Sequence, residues 1–143
     1  IRGESLRYIN IKVDEDAPSI FGLDKVDPTQ EVFVVEGPLD SLFLHNSIAC
    51  AGTSFGKIDQ LPIPKDKITI IFDNQPKNRD VGKLMNKYID QGYKIVIWPD
   101  VPGKDINEMI ENGLTSSEIQ GIINDNTFNG LAAKAKYAMW RKV

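Results

Sequence analysis

The chain has 143 residues, 41% of them hydrophobic and 26% charged, with a formal net charge of −3, a composition that fits one soluble globular domain with a core of its own. That balance argues against holding nucleic acid by bulk charge and turns attention to where the charges lie: nine acids and four bases fall in residues 1–40, whereas residues 131–143 hold Lys134, Lys136, Arg141 and Lys142 and no acid. One cysteine, Cys50, and one histidine, His45, exclude an internal disulfide and a Cys/His zinc site, leave little for a Ser-His-Asp triad, and fit a reducing, cytoplasmic setting.

The first segment, "SLRYINIKVD", alternates over Leu6–Val13 and reads as a strand; starting at Ile1 without methionine, it suggests a piece of a longer chain. A Pro/Gly/Asp-rich connection over 14–30 leads to "EVFVVEG", a buried strand closed by Glu36. "PLDSLFLHN" starts a helix at Pro38, "IACAGT" is a second buried strand, and "SFGKIDQLPIP" is punctuated as a loop. "KITIIFD" is a third strand. In "NRDVGKLMNKYIDQG", Val81, Leu84, Met85, Tyr88 and Ile89 recur as one apolar helical face that Gly92 stops. "YKIVIWP" is a fourth strand, "DINEMIENG" and "TSSEIQGIINDN" are short helices, and a last helix runs from Gly130. There Leu131, Ala135, Ala138 and Met139 form a stripe that reads as a packing face. No run is long enough to span a membrane, and no signal-peptide pattern is present.

Strands alternating with helices and apolar on both faces predict an α/β fold, about four mainly parallel strands flanked by helices, with an N-terminal strand extension and a C-terminal helical tail. In such sheets ligands lie beyond the carboxyl ends of the strands. Glu36 and Asp73 close two strands, Asp40 falls in the first turn after Glu36, and "PDVPGKD" brings Asp100 and Asp105 to the same rim. Converging carboxylates repel unless a cation or shared protons offset them, and Mg²⁺, with its taste for carboxylates and phosphate oxygens, is the natural counterion. Single members have plainer readings: Asp40 as a favourable charge at a helix start, Asp105 with Glu108 as a capping box. Gln75 offers an amide where a second acid would hold a metal more strongly. Lys77, Arg79, Lys83 and Lys104 supply positive charge on or near the rim for phosphates, or else a solvated face.

These residues resemble the Toprim domain (a Rossmann-like fold) shared by bacterial-type DNA primases, type IA and type II topoisomerases and some nucleases. "VVEGPLDSLFL" is similar to the first Toprim motif and "IACAGTS" to the strand and turn that follow it in primases; "IIFDNQ" stands where the family has Asp-x-Asp, and "WPDVPGKDINEMI" resembles the segment with the last pair of acids. The resemblance is strongest to primases of T-even-like tailed bacteriophages. It implies a catalytic domain over 31–113, an extension over 1–30 and a helical segment over 114–143. It further implies that Glu36, Asp40 and Asp73 are catalytic, that Glu36, Asp73, Gln75 and Asp105 attend Mg²⁺ or Mn²⁺ without zinc, and that Gln75 and Asn107, standing where the family has acids, weaken a second metal position.

The function so implied is Mg²⁺-dependent nucleotidyl transfer that makes RNA primers on single-stranded DNA in phage replication. Its partners would be the template, ribonucleoside triphosphates, a replicative helicase and the remaining primase domains of the same chain, in the cytoplasm of the infected host; the fragment alone is expected to be inactive. The rival readings are a Toprim nuclease, a non-catalytic module that binds nucleic acid or a helicase, and a receiver-like phosphoacceptor, which the missing acid pair at the first strand disfavours.

Overall fold

The computed structural model of the chain describes residues 19–143, apart from the side chain of Thr53; the strand expected over Leu6–Val13 lies outside the described residues. The described strands are β1 (Ser19–Phe21), β2 (Val32–Val35), β3 (Ser47–Ala51), β4 (Ile68–Ile71), β5 (Lys94–Val96) and β6 (Thr127–Phe128), in one sheet of order β1-β3-β2-β4-β5-β6. The four central strands are parallel, whereas β1 and β6 run antiparallel on the two edges. Sequence reading puts β1 in a connection and β6 in the helical tail, since strands of three and two residues are too short to show a period.

Alternation of side chains across the central strands divides the core into two layers. Val32, Val34, Ile48, Cys50, Ile68, Ile70 and Ile95 face one layer, and Val35, Ala49, Ile71 and Val96 face the other. Five helices cover these faces: α1 (Pro38–Ser41), α2 (Arg79–Asp90), α3 (Ile106–Glu111), α4 (Ser116–Asp125) and α5 (Gly130–Trp140). The first layer holds Met85, Tyr88 and Ile89 of α2 and Ala133 of α5; the second holds Ile106 and Met109 of α3 and Ile119 and Ile123 of α4. Burial on both faces is why the strands read as unbroken apolar runs.

The predicted apolar face of α2 is its packing face. Asn78 caps its start, accepting from the N–H groups of Asp80 (2.9 Å) and Val81 (3.1 Å). At its end the Tyr93 N–H donates to the Tyr88 carbonyl (3.1 Å) and that of Gly92 to Ile89 (3.0 Å), with Gly92 at φ +88°, the left-handed stop that glycine tolerates. Most of the segment expected as a loop, 54–64, falls in a largely 3₁₀ stretch, Gly52–Gln60, which also takes the last two residues of the expected strand 48–53 and buries Phe55 and Ile58. The Tyr88 hydroxyl accepts from the Ile58 N–H (3.1 Å) and donates to the Phe55 carbonyl (3.0 Å).

The tail helix packs on a different face from the one its apolar spacing suggests. Leu131 and Met139 are 89% and 80% exposed, while Ala133, Tyr137 and Trp140 turn inward. Polar tips decide this: the Tyr137 hydroxyl donates to the Gly82 carbonyl (3.1 Å) and the Trp140 indole to Asn74 Oδ1 (3.1 Å). A Cβ on Gly82 would lie 2.9 Å from the Tyr137 hydroxyl, which explains a glycine inside α2.

From β2 the chain winds to β3 on one side, then crosses back to β4 on the other. The carboxyl ends of β2 and β4 therefore flank the point where the winding reverses, the place where open α/β sheets form a crevice. No helix among the described residues is long and apolar enough to cross a membrane.

Candidate metal centre

Three of the predicted acids meet at that crevice: Asp40, Asp73 and Asp105 each bring a carboxylate oxygen within 4.8 Å of the other two. Asp73 follows β4 directly after the buried Phe72, and Asp40 stands in α1, only 6% exposed. The turn between β2 and α1 fits Asp40 closely, since a Cβ on Gly37 would lie 2.9 Å from Asp40 Oδ2. Gly37 has an ordinary extended backbone, φ −90° and ψ 130°, so space and not conformation calls for glycine there.

The start of α3 seats two of the acids. Asp105 is its N-cap, accepting from the Glu108 N–H at 2.8 Å, and Asp40 Oδ1 accepts from the Asn107 N–H, also at 2.8 Å. Capping and clustering are compatible in Asp105, because one oxygen can accept from the helix start while the carboxylate lies near Asp40 and Asp73. Glu108 reaches back to the Lys104 N–H (3.2 Å), one residue before the cap, so the reciprocal capping box is not formed. Asn107 contributes through its backbone; its side chain turns to Glu111 (2.9 Å).

Burial first, and neighbouring negative charge second, raise the proton affinity of Asp73 and Asp40. Burial pushes the Asp73 carboxyl up to about 7, helped by the charges of Glu36, Asp40 and Asp105 and opposed by Lys104. Burial also carries Asp40 up to about 6, against the Asn107 N–H and with smaller pushes from Asp105 and Glu36. Glu36, half-buried after β2, is raised by burial. Among the described residues none of these acids forms an ion pair with a base. A pocket of oxygen donors with excess negative charge has the chemistry of a hard divalent-cation site, with Asp40, Asp73 and Asp105 as the donors that fit it.

Asn74 holds the rim together, a role that sequence reasoning misses. Its N–H donates to the Lys104 carbonyl (2.6 Å), its side-chain amide to the carbonyls of Val101 (3.4 Å) and Gly103 (3.3 Å), and its Oδ1 accepts from Trp140. The residue after Asp73 thus fixes the loop that carries Asp105 and joins it to the tail helix. Trp98 adds a bond from its indole to the Phe72 carbonyl at 2.8 Å. An asparagine beside a strand-end acid is a weak signal, because its partners lie 27 to 66 residues away.

The other predicted residues spread outward. Lys104 is near enough to oppose the rise at Asp73. Gln75 lines a depression with Pro76, Lys77, Asn78 and Lys142. Arg79 opens α2 and Lys83 lies one turn further, both exposed. Asp100 is exposed and lines a cleft under α5, outside the acid triplet.

No protein-family model matches the chain. It is 36% identical over 141 residues to the DNA primase of Enterobacteria phage T4, an alignment that takes in 96% of this chain and 40% of that protein. The chain spans about two fifths of the length of the curated relative it matches.

Proposed function

We propose that residues 31–113 form the Toprim-type catalytic unit of a DNA primase, which makes RNA primers on single-stranded DNA by Mg²⁺-dependent nucleotidyl transfer during phage replication in the host cytoplasm. The observation that carries this reading is the convergence of Asp40, Asp73 and Asp105 at the winding reversal of the sheet, in a chain similar to a primase. Bound there, Mg²⁺ would neutralise the carboxylates and polarise phosphate oxygens.

The remaining roles belong to the chain's own residues. Asp40, held by the Asn107 N–H, and Asp105, held at the cap of α3, keep their carboxylates in place without rearrangement. Glu36, raised by burial, is the proton acceptor for the primer 3′-hydroxyl. Lys104 beside Asp73, with Lys77, Arg79 and Lys83 outside it, takes the triphosphate. Gln75 lends an amide and no charge to a second, weaker cation position.

The test is primer synthesis from ribonucleoside triphosphates on single-stranded DNA, by the chain joined to the other domains a primase requires. Glu36→Gln should lower the rate by at least about a hundredfold, the loss usual for a general base, and Asp73→Asn should lower it at least as much by removing a carboxylate from the cation. Unchanged synthesis in both variants would refute the reading. Metal-dependent nicking of DNA by the chain, lost in the same variants, would reassign the acids to a nuclease.

A further inference from the structure

The basic tail and the cleft beneath it are not used by the acid site. Between α5, β6 and the connection after β5 lies a cleft of about 470 Å³, walled by Trp98, Phe128, Met139 and Trp140. Beside it, at the start of α2, lies the depression of about 520 Å³ that Gln75 lines. The two share Pro76 and Lys142, so they form one track that passes the loop after Asp73. Its lining carries Lys77, Lys136 and Lys142 against one acid, Asp100. None of the three lysines has an ion-pair partner among the described residues, and Lys136 lies over the Phe128 ring, 5.4 Å from its centre. The Lys142 N–H donates to the Pro76 carbonyl (2.8 Å), which fixes the tail where the two depressions join.

We propose that this track binds a single strand of nucleic acid, with phosphates along Lys136 and Lys142 and an unstacked base against the aromatic wall at Phe128 and Trp140. Positive charge spaced along a groove that aromatic side chains line is the chemistry of single-strand sites, and a base still stacked in a duplex cannot enter such a cleft. The proposal rests on the primase reading for its biological setting, not for its physics, because no acid of the metal centre lies in the track.

The test is fluorescence anisotropy of a labelled oligothymidylate of about twelve nucleotides, within the usual span of such sites, titrated with the 143-residue chain in EDTA. The chain should bind the strand. Lys136→Glu with Lys142→Glu should weaken binding at least about tenfold and flatten the slope of log K against log salt by about 1.4, the value for two lost phosphate contacts on a single strand. Lys57→Glu, an exposed charge on the 3₁₀ segment, should leave binding unchanged. Absence of binding, equal binding by the double variant, an equal loss in Lys57→Glu, or equal affinity for a duplex of the same length would each overturn the proposal. Asp73→Asn separates the two readings: it should keep oligothymidylate binding whether or not primer synthesis is lost.

Discussion

The two ends of the same strands treat their acids in opposite ways. At the amino end, Glu31 precedes β2 and accepts a bond from the Thr69 hydroxyl of β4 and an ion pair from Lys94 of β5 at 2.6 Å; that lysine also donates to the Asp66 carbonyl (2.9 Å). At the carboxyl end, Asp40, Asp73 and Asp105 crowd within 4.8 Å, with only Lys104 to oppose the rise at Asp73. One end completes a charge pair within the sheet, and the other leaves negative charge for something from outside. That asymmetry sets the paired Glu31 apart from the three acids proposed to hold a cation, since solvent alone would favour spreading those carboxylates apart.

Substitution at the carboxyl end should have the largest effect. Asp73→Asn is expected to lower Mn²⁺ affinity by more than about a hundredfold, beyond the loss typical of an outer-shell residue. The same variant should melt a few degrees higher than the parent in cation-free buffer at pH 8, because it removes a carboxylate that the fold disfavours. A melting temperature that falls would show that Asp73 is held for stability.

The pH dependence should follow from the same crowding. Asp73 and Asp40 have proton affinities raised from 3.8 to about 7 and about 6, so the folded state binds protons more tightly than the unfolded chain. Their contribution to stability is complete below about pH 4 and is lost as pH rises through 6 and 7. Without a cation the chain should therefore melt higher at pH 5 than at pH 8, and saturating Mg²⁺ should raise the melting temperature more at pH 8. Equal stabilisation by Mg²⁺ at both values would place its binding elsewhere.

Changes around the acids should cost less. Asn74→Ala releases the loop of Asp105 and the Trp140 indole, and it should weaken Mn²⁺ binding about tenfold with a loss of about 1–3 kcal/mol in urea unfolding. Wild-type affinity in that variant would mean the loop holds its shape without Asn74. At the opposite end, Lys94→Met should cost only about 1 kcal/mol, as expected of a pair whose side chains are 29% and 36% exposed, and leave Mn²⁺ binding intact.

Much of this was legible in the sequence because the central strands bury both faces and so appear as apolar runs, two of them closed by an acid: Glu36 after Val35, and Asp73 after Phe72. The periodic face of α2 and its stop at Gly92 were equally plain. What escaped was set by contacts distant in the chain. Trp140 reaches Asn74 across 66 residues, and Asn107 serves Asp40 through a backbone N–H that any residue but proline could supply. The inward face of α5 was hidden because two aromatic side chains with polar tips, Tyr137 and Trp140, outweigh the exposed Leu131 and Met139.

The measurement that bears hardest on the contrast between the two ends is a calorimetric Mn²⁺ titration of the chain at pH 8 beside Asp73→Asn and Lys94→Met. Saturable binding in the parent and in Lys94→Met, with none in Asp73→Asn, is the expected result. Binding that persists in Asp73→Asn, or no binding in the parent, would contradict a cation site at the carboxyl ends of the strands.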